Sequence, residues 1–121
     1  MASHNDFGKL AENKAADYLL EKGYVILERN FRYLKAEIDI ITTIDDKLVI
    51  VEVKGRKNDY FMEPQEAVSS SKRQLLLKAA DAYVEKNNLD VEIRFDIIAI
   101  LVNNKDEFSI QHIENAFNCI H

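Results

Sequence analysis

The sequence predicts a single α/β domain over residues 1–121, with helices covering a mixed β-sheet. An alanine-rich amphipathic segment opens the chain, apolar runs of strand length follow, and a second helix-like segment divides those runs into two groups. The chain has 121 residues, of which 47% are hydrophobic, and it contains three glycines and one proline. This length and composition are typical of one domain with its own apolar core.

The first helix is predicted from about Phe7 to Lys22. Asp6 suits its N-cap, and Gly23 suits its C-terminal end. Glu12 falls at the edge of the apolar face of this helix. Steps of about 100° per residue give that face six small or apolar residues, namely Phe7, Gly8, Ala11, Ala15, Tyr18 and Leu19.

Three strands are predicted after this helix. Tyr24 to Leu27 has the composition of a short strand, and Arg29 to Lys35 is interpreted as a basic connection. Glu37 to Ile44 and Lys47 to Lys54 then form a hairpin around a tight turn at Asp45-Asp46. The hairpin is the best-defined element of the sequence because its turn and its alternating pattern agree.

The second half of the chain is predicted to contain a helix and two strands. The polar segment 55–62 is expected to be mobile, and Pro64 is expected to open a short helix. Ser71 with Gln74 three residues later resembles a capping box for a helix to about Lys86. The remaining predicted elements are a strand at 93–102, a turn at 103–106, a strand at 108–113 and a short C-terminal helix.

Composition gives expectations about the cellular setting. The chain has one cysteine, Cys119, no apolar run near the roughly 18 residues of a membrane span, and no secretory signal pattern. We therefore expect a cytoplasmic protein without a membrane segment. The net charge of −5 disfavours binding to polyanions, but the basic residues are clustered and many acidic residues lie elsewhere. A solvated surface of mixed charge is the alternative interpretation.

The hairpin carries the residues with the clearest chemistry. A two-residue loop at Asp45-Asp46 places Asp39 opposite Glu52 and Glu37 opposite Lys54. Directly opposed side chains have Cβ atoms about 4.5 to 5.5 Å apart, so two carboxylates would meet. We expect these four residues on one face of the hairpin. The other face is expected to be apolar and covered by a helix, with Ile38, Ile40, Thr42, Val49, Val51 and Val53.

This combination of residues suits metal-dependent hydrolysis of a phosphodiester. Mg²⁺ binds carboxylate oxygens, and the ion would reverse the repulsion between Asp39 and Glu52. The Lys54 ammonium could stabilise the charge that develops on the phosphate, and Glu12 could supply a further carboxylate. The alternative is that the hairpin is an ordinary solvated edge on which acidic and basic residues alternate.

The same residues match a known pattern. Asp39 followed by Glu52-Val53-Lys54 resembles the PD-(D/E)xK nuclease superfamily, whose members have the restriction-endonuclease-like fold. The chain as a whole resembles the YraN-like family of small bacterial proteins. The matching segments are Gly8 with Glu12, Arg29 to Arg32, Glu37 to Asp39, Val51 to Lys54 with Arg56, Pro64 with Ala67 and Val68, Lys72, Arg94 to Asp96, and His112 to Phe117.

The resemblance implies a central mixed sheet flanked by helices. It also implies Asp39, Glu52 and the helical carboxylate Glu12 as ligands of Mg²⁺ or Mn²⁺, and Lys54 as the catalytic lysine. The layout of these four residues is similar to that of archaeal Holliday-junction resolvases. Ala36 stands where the family usually has glycine.

Nucleic acid, and DNA in the first place, is the expected substrate. The candidate contacts to its backbone are Arg29, Arg32, Arg56, Lys57, Lys72 and Arg73. A homodimer would suit a two-fold symmetric junction. Two alternatives remain open, a nucleic-acid-binding domain without catalysis and a protein-interaction domain, which the negative charge suggests. Asp96 lies in an apolar strand, and we expect it to pair with Arg94 or Arg56 in a structural role.

Overall fold

The computed structural model describes residues 4–57 and 68–117 of the protein. Within these ranges, the elements are α1 (His4–Glu21), β1 (Val25–Tyr33), β2 (Ala36–Ile44), β3 (Lys47–Lys57), α2 (Ser70–Lys86), β4 (Glu92–Val102) and β5 (Phe108–Phe117). The strands form one sheet in the order β1-β2-β3-β4-β5. Among the described strands, β3 and β4 pair in parallel and the other neighbours pair antiparallel, so the sheet is mixed as predicted. The arrangement is consistent with the restriction-endonuclease-like fold.

Helix α1 covers one face of the sheet. Ala11, Ala15 and Leu19 are buried there against strands β2, β3 and β4. The helix ends at Glu21, and Gly23 follows it as the predicted C-terminal stop, with a φ of +94° that glycine adopts at little steric cost. Its start differs from the prediction, because α1 already includes His4 and Asp6 therefore lies in the first turn. None of the described helices is long and apolar enough to cross a membrane.

Helix α2 covers the opposite face. Leu76, Ala79, Ala80 and Tyr83 are its buried residues. The helix begins at Ser70, and the Ser69 hydroxyl accepts a 3.2 Å hydrogen bond from the Lys72 backbone N–H. The predicted capping box at Ser71 was therefore wrong by two residues, because Ser69 is the last residue in extended conformation. Fixing this helix start places Lys72 in the first turn of α2.

The predicted basic connection at Arg29–Lys35 was wrong. The chain continues as strand β1 as far as Tyr33, and its pairs with β2 run to Tyr33↔Ala36. Only Leu34 and Lys35 form the turn. An edge strand needs only one paired neighbour and can carry polar side chains on its exposed face, so its composition resembles that of a loop.

Two other strands are longer than predicted. Strand β3 continues to Lys57 because it pairs with β4 as far as Val102, so Gly55 to Lys57 are not part of a mobile segment. Strand β5 continues to Phe117. The C-terminal helix that was predicted after Ile113 is therefore wrong as far as Phe117. The helix predicted at Pro64 lies outside the described residues, as do Ala67 and Cys119.

The hairpin turn was predicted correctly. Asp45 and Asp46 both have positive φ, 48° and 62°, as a type I′ turn requires. The pairing between β2 and β3 also has the predicted register, from Ile44↔Lys47 to Ile40↔Val51. This register brings Asp39 and Glu52 to the end of the paired segment.

Candidate functional site

Strands β2 and β3 part at the residues that the sequence analysis singled out. Their paired segment ends at Ile40↔Val51, one position before Asp39 and Glu52. Beyond it, the backbone N–H of Val53 donates a 2.8 Å hydrogen bond to Oδ2 of Asp39. The Asp39 side chain thus satisfies a backbone donor that the parted strands leave unpaired. This bond fixes the carboxylate of β2 against the backbone of β3.

The parting of the strands changes which side chains share a face. Ile38 packs in the core beneath α2, whereas Ile40 packs in the core beneath α1. The predicted common face of Ile38 and Ile40 was therefore wrong, because regular alternation breaks at Asp39 between them. The predicted pair of Glu37 with Lys54 was also wrong. Glu37 instead forms an ion pair with Arg32 on β1, at 3.3 Å.

Asp39 and Glu52 remain close neighbours despite this irregularity. Besides burial, the charge of Glu52 and its hydrogen bonding to Asp39 both raise the pKa of Asp39, so the two side chains interact directly, an arrangement that favours a shared proton or a cation. Glu52 is only 4% exposed. Burial raises the pKa of Asp39 to about 7, and the negative charge of Glu52 adds to this effect against the opposing bond from Val53 N–H. Two acidic groups are thus held together in a place where ionising both is costly.

Two lysines contact the buried member of this pair. Lys54 Nζ lies 3.5 Å from Oε2 of Glu52, and Lys72 Nζ from α2 contacts the same oxygen. Burial and the neighbouring Lys72 lower the pKa of Lys54, despite the opposing charge of Glu52. Burial also acts to lower the pKa of Lys72, but its contact with Glu52 outweighs burial, and the pKa is raised. Among the residues that the structure describes, the site therefore contains two carboxyl groups and two ammonium groups, supplied by β2, β3 and α2.

A cavity of about 520 Å³ opens on the α1 side of Asp39. Glu12, from α1, lines this cavity together with Asp39. A Cβ on Gly55 would lie 2.6 Å from the Phe7 ring, so glycine there lets the start of α1 lie close to β3. The residues that line the cavity are Gly8, Lys9, Ala11, Glu12, Asn30, Arg32, Glu37, Asp39, Val53 and Gly55.

The donor set suits a hard divalent cation held by few protein ligands. Mg²⁺ usually keeps several waters and is bound by one or two carboxylates together with substrate phosphates. Asp39 and Glu52 could supply those two carboxylates. In residues 4–57 and 68–117, no group of three or more acidic, histidine or cysteine side chains is close enough to enclose an ion. Glu12 therefore lines the cavity with Asp39 without completing a third ligand position.

The six basic residues proposed as nucleic-acid contacts have different environments. Arg29 is bound to Glu12 and Asn13 of α1. Arg73 donates to the Val68 carbonyl and lies over the Phe117 ring. Three of the remaining four have weaker or more exposed contacts. They are Arg32, with a side chain that is 80% exposed, Arg56, which donates to the Gly55 carbonyl at 3.4 Å, and Lys57, near the Phe7 ring. Lys72 is at the acidic pair, as described above.

A second polar cluster is separate from the acidic pair. The Asp96 carboxylate is fully buried and accepts two hydrogen bonds from Arg94, at 2.9 and 2.8 Å, which confirms the predicted pairing. His112 and the backbone N–H of Asn115 also contact it, at 2.8 and 3.0 Å. Burial acts to raise the pKa of Asp96, but these hydrogen bonds outweigh it and lower the pKa. The cluster ties β4 to β5.

Asn30 and Lys9 also line the cavity and were not predicted as site residues. Asn30 has a φ of +56° and donates a 3.1 Å hydrogen bond to Glu12. Asparagine tolerates positive φ better than most residues, so the Arg-Asn-Phe sequence contains a weak signal for this irregularity. Lys9 lines the cavity from α1. Its position one turn before Glu12 is visible in the sequence, but the pattern gives no reason to select it.

Comparisons with known proteins agree on one family. A family model described as "Uncharacterised protein family UPF0102" matches residues 11–100. A UPF0102 protein of Flavobacterium psychrophilum is 53% identical, over 97% of this chain and 98% of its own. The chain is also similar to UPF0102 proteins of Christiangramia forsetii, at 50% identity with the same coverage, and of Phocaeicola vulgatus, at 46% identity over 97% of this chain and 96% of that protein. The resemblance to the YraN-like family is thereby confirmed.

Proposed function

The chain belongs to the uncharacterised protein family UPF0102, and from this premise we propose that it is a divalent-metal-dependent nuclease. Its proposed reaction is hydrolysis of a phosphodiester bond in nucleic acid, with DNA as the first candidate substrate. The observation that carries the proposal is the pair of carboxyl groups of Asp39 and Glu52, held together beside Lys54 and Lys72. The proposed membership of the PD-(D/E)xK superfamily rests on the same residues.

The arrangement of charges supports this function over a purely structural role. Two carboxylates placed together destabilise the fold, and Lys54 and Lys72 neutralise this charge only in part because both contact Glu52. Asp39 is bound by the Val53 N–H and keeps a raised pKa of about 7. A group that the fold holds at a cost to its stability is more typical of a functional site than of a packing contact.

Each residue of the site has a proposed part in the reaction. Asp39 and Glu52 would hold Mg²⁺ or Mn²⁺, which polarises a phosphoryl oxygen and lowers the pKa of bound water. Lys54 would donate to the scissile phosphate, where its ammonium stabilises developing negative charge. When substrate binds, Lys72 would leave Glu52 and contact the scissile phosphate or the phosphate next to it. Glu12 would accept a hydrogen bond from water in the cavity.

The net charge of the chain is negative, but the residues around the cavity support a polyanionic substrate. Lys9 and Arg32 line the cavity that contains Asp39, and the Arg32 side chain is 80% exposed. Lys35 lines a second cavity, of about 360 Å³, together with Lys72. Cations thus flank the acidic pair on both sides of β2, where the backbone of a nucleic acid could cross it.

A cleavage assay tests the proposal. The protein is incubated with single-stranded, nicked and branched DNA in buffer that contains Mn²⁺, and products are separated on a denaturing gel. We expect cleavage by the wild type and a loss of at least about 100-fold in rate for Asp39→Asn and for Lys54→Met. Asp45→Asn is the matched control, because it removes a carboxylate in the hairpin turn, where asparagine also accepts positive φ.

Two outcomes would count against catalysis. If the wild type cleaves no better than Asp39→Asn and Lys54→Met, the nuclease proposal fails. If the wild type binds DNA with a steep salt dependence but yields no products in Mn²⁺ or Mg²⁺, the domain is a nucleic-acid-binding module that uses the same surface.

A further inference from the structure

Glu12 is held from one side by two donors of the edge strand β1. Arg29 Nε donates to Oε1 of Glu12 at 3.0 Å, and Asn30 Nδ2 donates to the same oxygen at 3.1 Å. The Glu12 side chain is only 14% exposed, and it lines the cavity that contains Asp39. Among the described residues, Oε1 is thus the oxygen that accepts both hydrogen bonds, and Oε2 accepts none.

We infer that Arg29 and Asn30 are positioning residues that orient the Glu12 carboxylate toward a ligand in the cavity beside Asp39. The ligand chemistry that suits Oε2 is a hydrogen-bond donor, such as water or the hydration shell of a divalent cation. This inference rests on the proposed function, because it assigns Glu12 to the same site. It also assigns Arg29 to contacts with other residues of the protein, in place of the expected contact with nucleic acid.

Asn30 links Glu12 to the strand that carries Asp39. The pairs Arg29↔Ile40 and Phe31↔Ile38 are both in register, so Asn30 lies between them across from Asp39. Its φ of +56° departs from extended strand geometry in the middle of β1. A bulky residue would be strained in this conformation, whereas asparagine tolerates it. The irregularity therefore coincides with Glu12 and Asp39, two of the three acidic residues among those that line the cavity.

Arg29 makes the arrangement more rigid. Its Nη2 donates a 2.7 Å hydrogen bond to Oδ1 of Asn13, the residue that follows Glu12 on α1. The planar guanidinium therefore spans two neighbouring side chains of the helix and fixes the distance between α1 and β1. A lysine could replace the charge but could not make both bonds with one fixed geometry.

Asn30→Gly tests the inference, because glycine keeps the positive φ and removes only the side-chain amide. Asn88→Gly is the matched control, since Asn88 has a φ of 53° and lies after α2. Binding of Mn²⁺ is measured by calorimetry, and kcat and KM are measured with the best DNA substrate of the wild type. Both glycine variants are also made on a Glu12→Ala background.

We expect Asn30→Gly to weaken Mn²⁺ binding and to lower kcat by about 10-fold or more, the effect usual for residues that orient metal ligands. Asn88→Gly should change neither quantity. On the Glu12→Ala background, Asn30→Gly should have no further effect. Asn30→Asp keeps the size of the side chain but cannot donate to Glu12, so it should reduce both quantities at least as strongly. Thermal unfolding of each variant confirms that the measurements are made on folded protein.

Three results would overturn the inference. Mn²⁺ binding and kcat unchanged in Asn30→Gly and Asn30→Asp would show that Glu12 needs no positioning, while leaving the nuclease proposal intact. An equal loss on the wild-type and Glu12→Ala backgrounds would show that Asn30 acts on the fold and not through Glu12. A wild type that neither binds Mn²⁺ nor cleaves DNA would overturn the proposed function and this inference together.

Discussion

The backbone N–H of Val53 donates to the side chain of Asp39, at 2.8 Å, where a backbone acceptor of β2 would stand if the strands stayed paired. This bond couples the separation of two strands to the position of one carboxylate. It also leaves that carboxylate beside Glu52, in surroundings that raise the pKa of Asp39 to about 7. The hydrogen bond between Val53 and Asp39 therefore fixes the carboxylate in a position where burial and the charge of Glu52 make its ionisation costly to the stability of the fold.

Asp39→Asn should stabilise the protein at alkaline pH. Asparagine can still accept from Val53 N–H, but it carries no charge against Glu52. Because the pKa of Asp39 is raised from 3.8 in the unfolded chain to about 7 in the fold, the wild type loses stability as pH rises through that range. We expect a gain on the order of 1 kcal/mol at pH 8, after allowance for solvent screening, that disappears near pH 4.

Urea unfolding at pH 8 and pH 4.5 without divalent cations measures this difference. Asp45→Asn serves as the control, since Asp45 lies in the exposed turn away from Glu52. If Asp39→Asn is less stable than the wild type at pH 8, the Asp39 carboxylate stabilises the folded protein at that pH, contrary to this prediction.

Divalent cations should stabilise the wild type against heat. An ion that binds only the folded protein adds RT ln(1 + [L]/Kd), which is about 2.7 kcal/mol at 100 times Kd. Glu52→Gln should abolish most of this gain, since it removes one of the two proposed ligands. Melting curves with and without 10 mM Mg²⁺ test this expectation, and an equal shift for the wild type and Glu52→Gln would place the ion elsewhere.

Asp96→Asn should be strongly destabilising, by about 3–5 kcal/mol. It removes the fully buried charge that Arg94, only 18% exposed, pairs with, and it leaves the other donors around that carboxylate with a weaker acceptor. Because the pKa of Asp96 is lowered, its contribution is present above the unfolded value of 3.8 and is lost as pH falls below that value.

Glu114→Gln is the control for this prediction. Glu114 lies 3.5 Å from the same arginine but is 62% exposed, so its loss should cost at most about 1 kcal/mol. Denaturant unfolding at pH 7 compares Asp96→Asn with this variant. Equal effects of the two substitutions would contradict the structural role of the buried cluster.

Arg32 and Arg29 should behave differently in binding to DNA. Arg32 is exposed at the cavity, so Arg32→Ala should weaken binding similarly for all sequences and reduce the salt dependence by about one counterion. Arg29 is bound to Glu12 and Asn13, so Arg29→Ala should leave the salt dependence unchanged. Fluorescence anisotropy at several salt concentrations measures both slopes, and a reduced slope for Arg29→Ala would identify it as a phosphate contact.

The sequence was most informative where structure is determined locally. The turn at Asp45-Asp46 requires two residues that accept positive φ, and aspartate at both positions fixed the register of the hairpin. Gly23 likewise marked the end of α1. Because the turn determines the register, the close approach of Asp39 and Glu52 could be predicted from the sequence alone.

The sequence was least informative where tertiary contacts decide. The separation of β2 from β3 depends on the Asp39 side chain competing for the Val53 N–H, which no hydrophobic pattern records. Polar edge strand β1 was interpreted as a connection, so the contacts of Arg29 and Asn30 with Glu12 were not foreseen. Lys72 contacts Glu52 from the first turn of α2, which begins at Ser70, two residues earlier than its predicted cap would place it.

The central claim is that Asp39 and Glu52 together bind a divalent cation. A crystal grown or soaked in Mn²⁺ tests it directly, through the anomalous scattering of that ion. We expect an anomalous difference peak within bonding distance of one oxygen from each carboxylate, with Lys72 displaced from Glu52. No peak between the two carboxylates at millimolar Mn²⁺, with Lys72 still bound to Glu52, would contradict the claim.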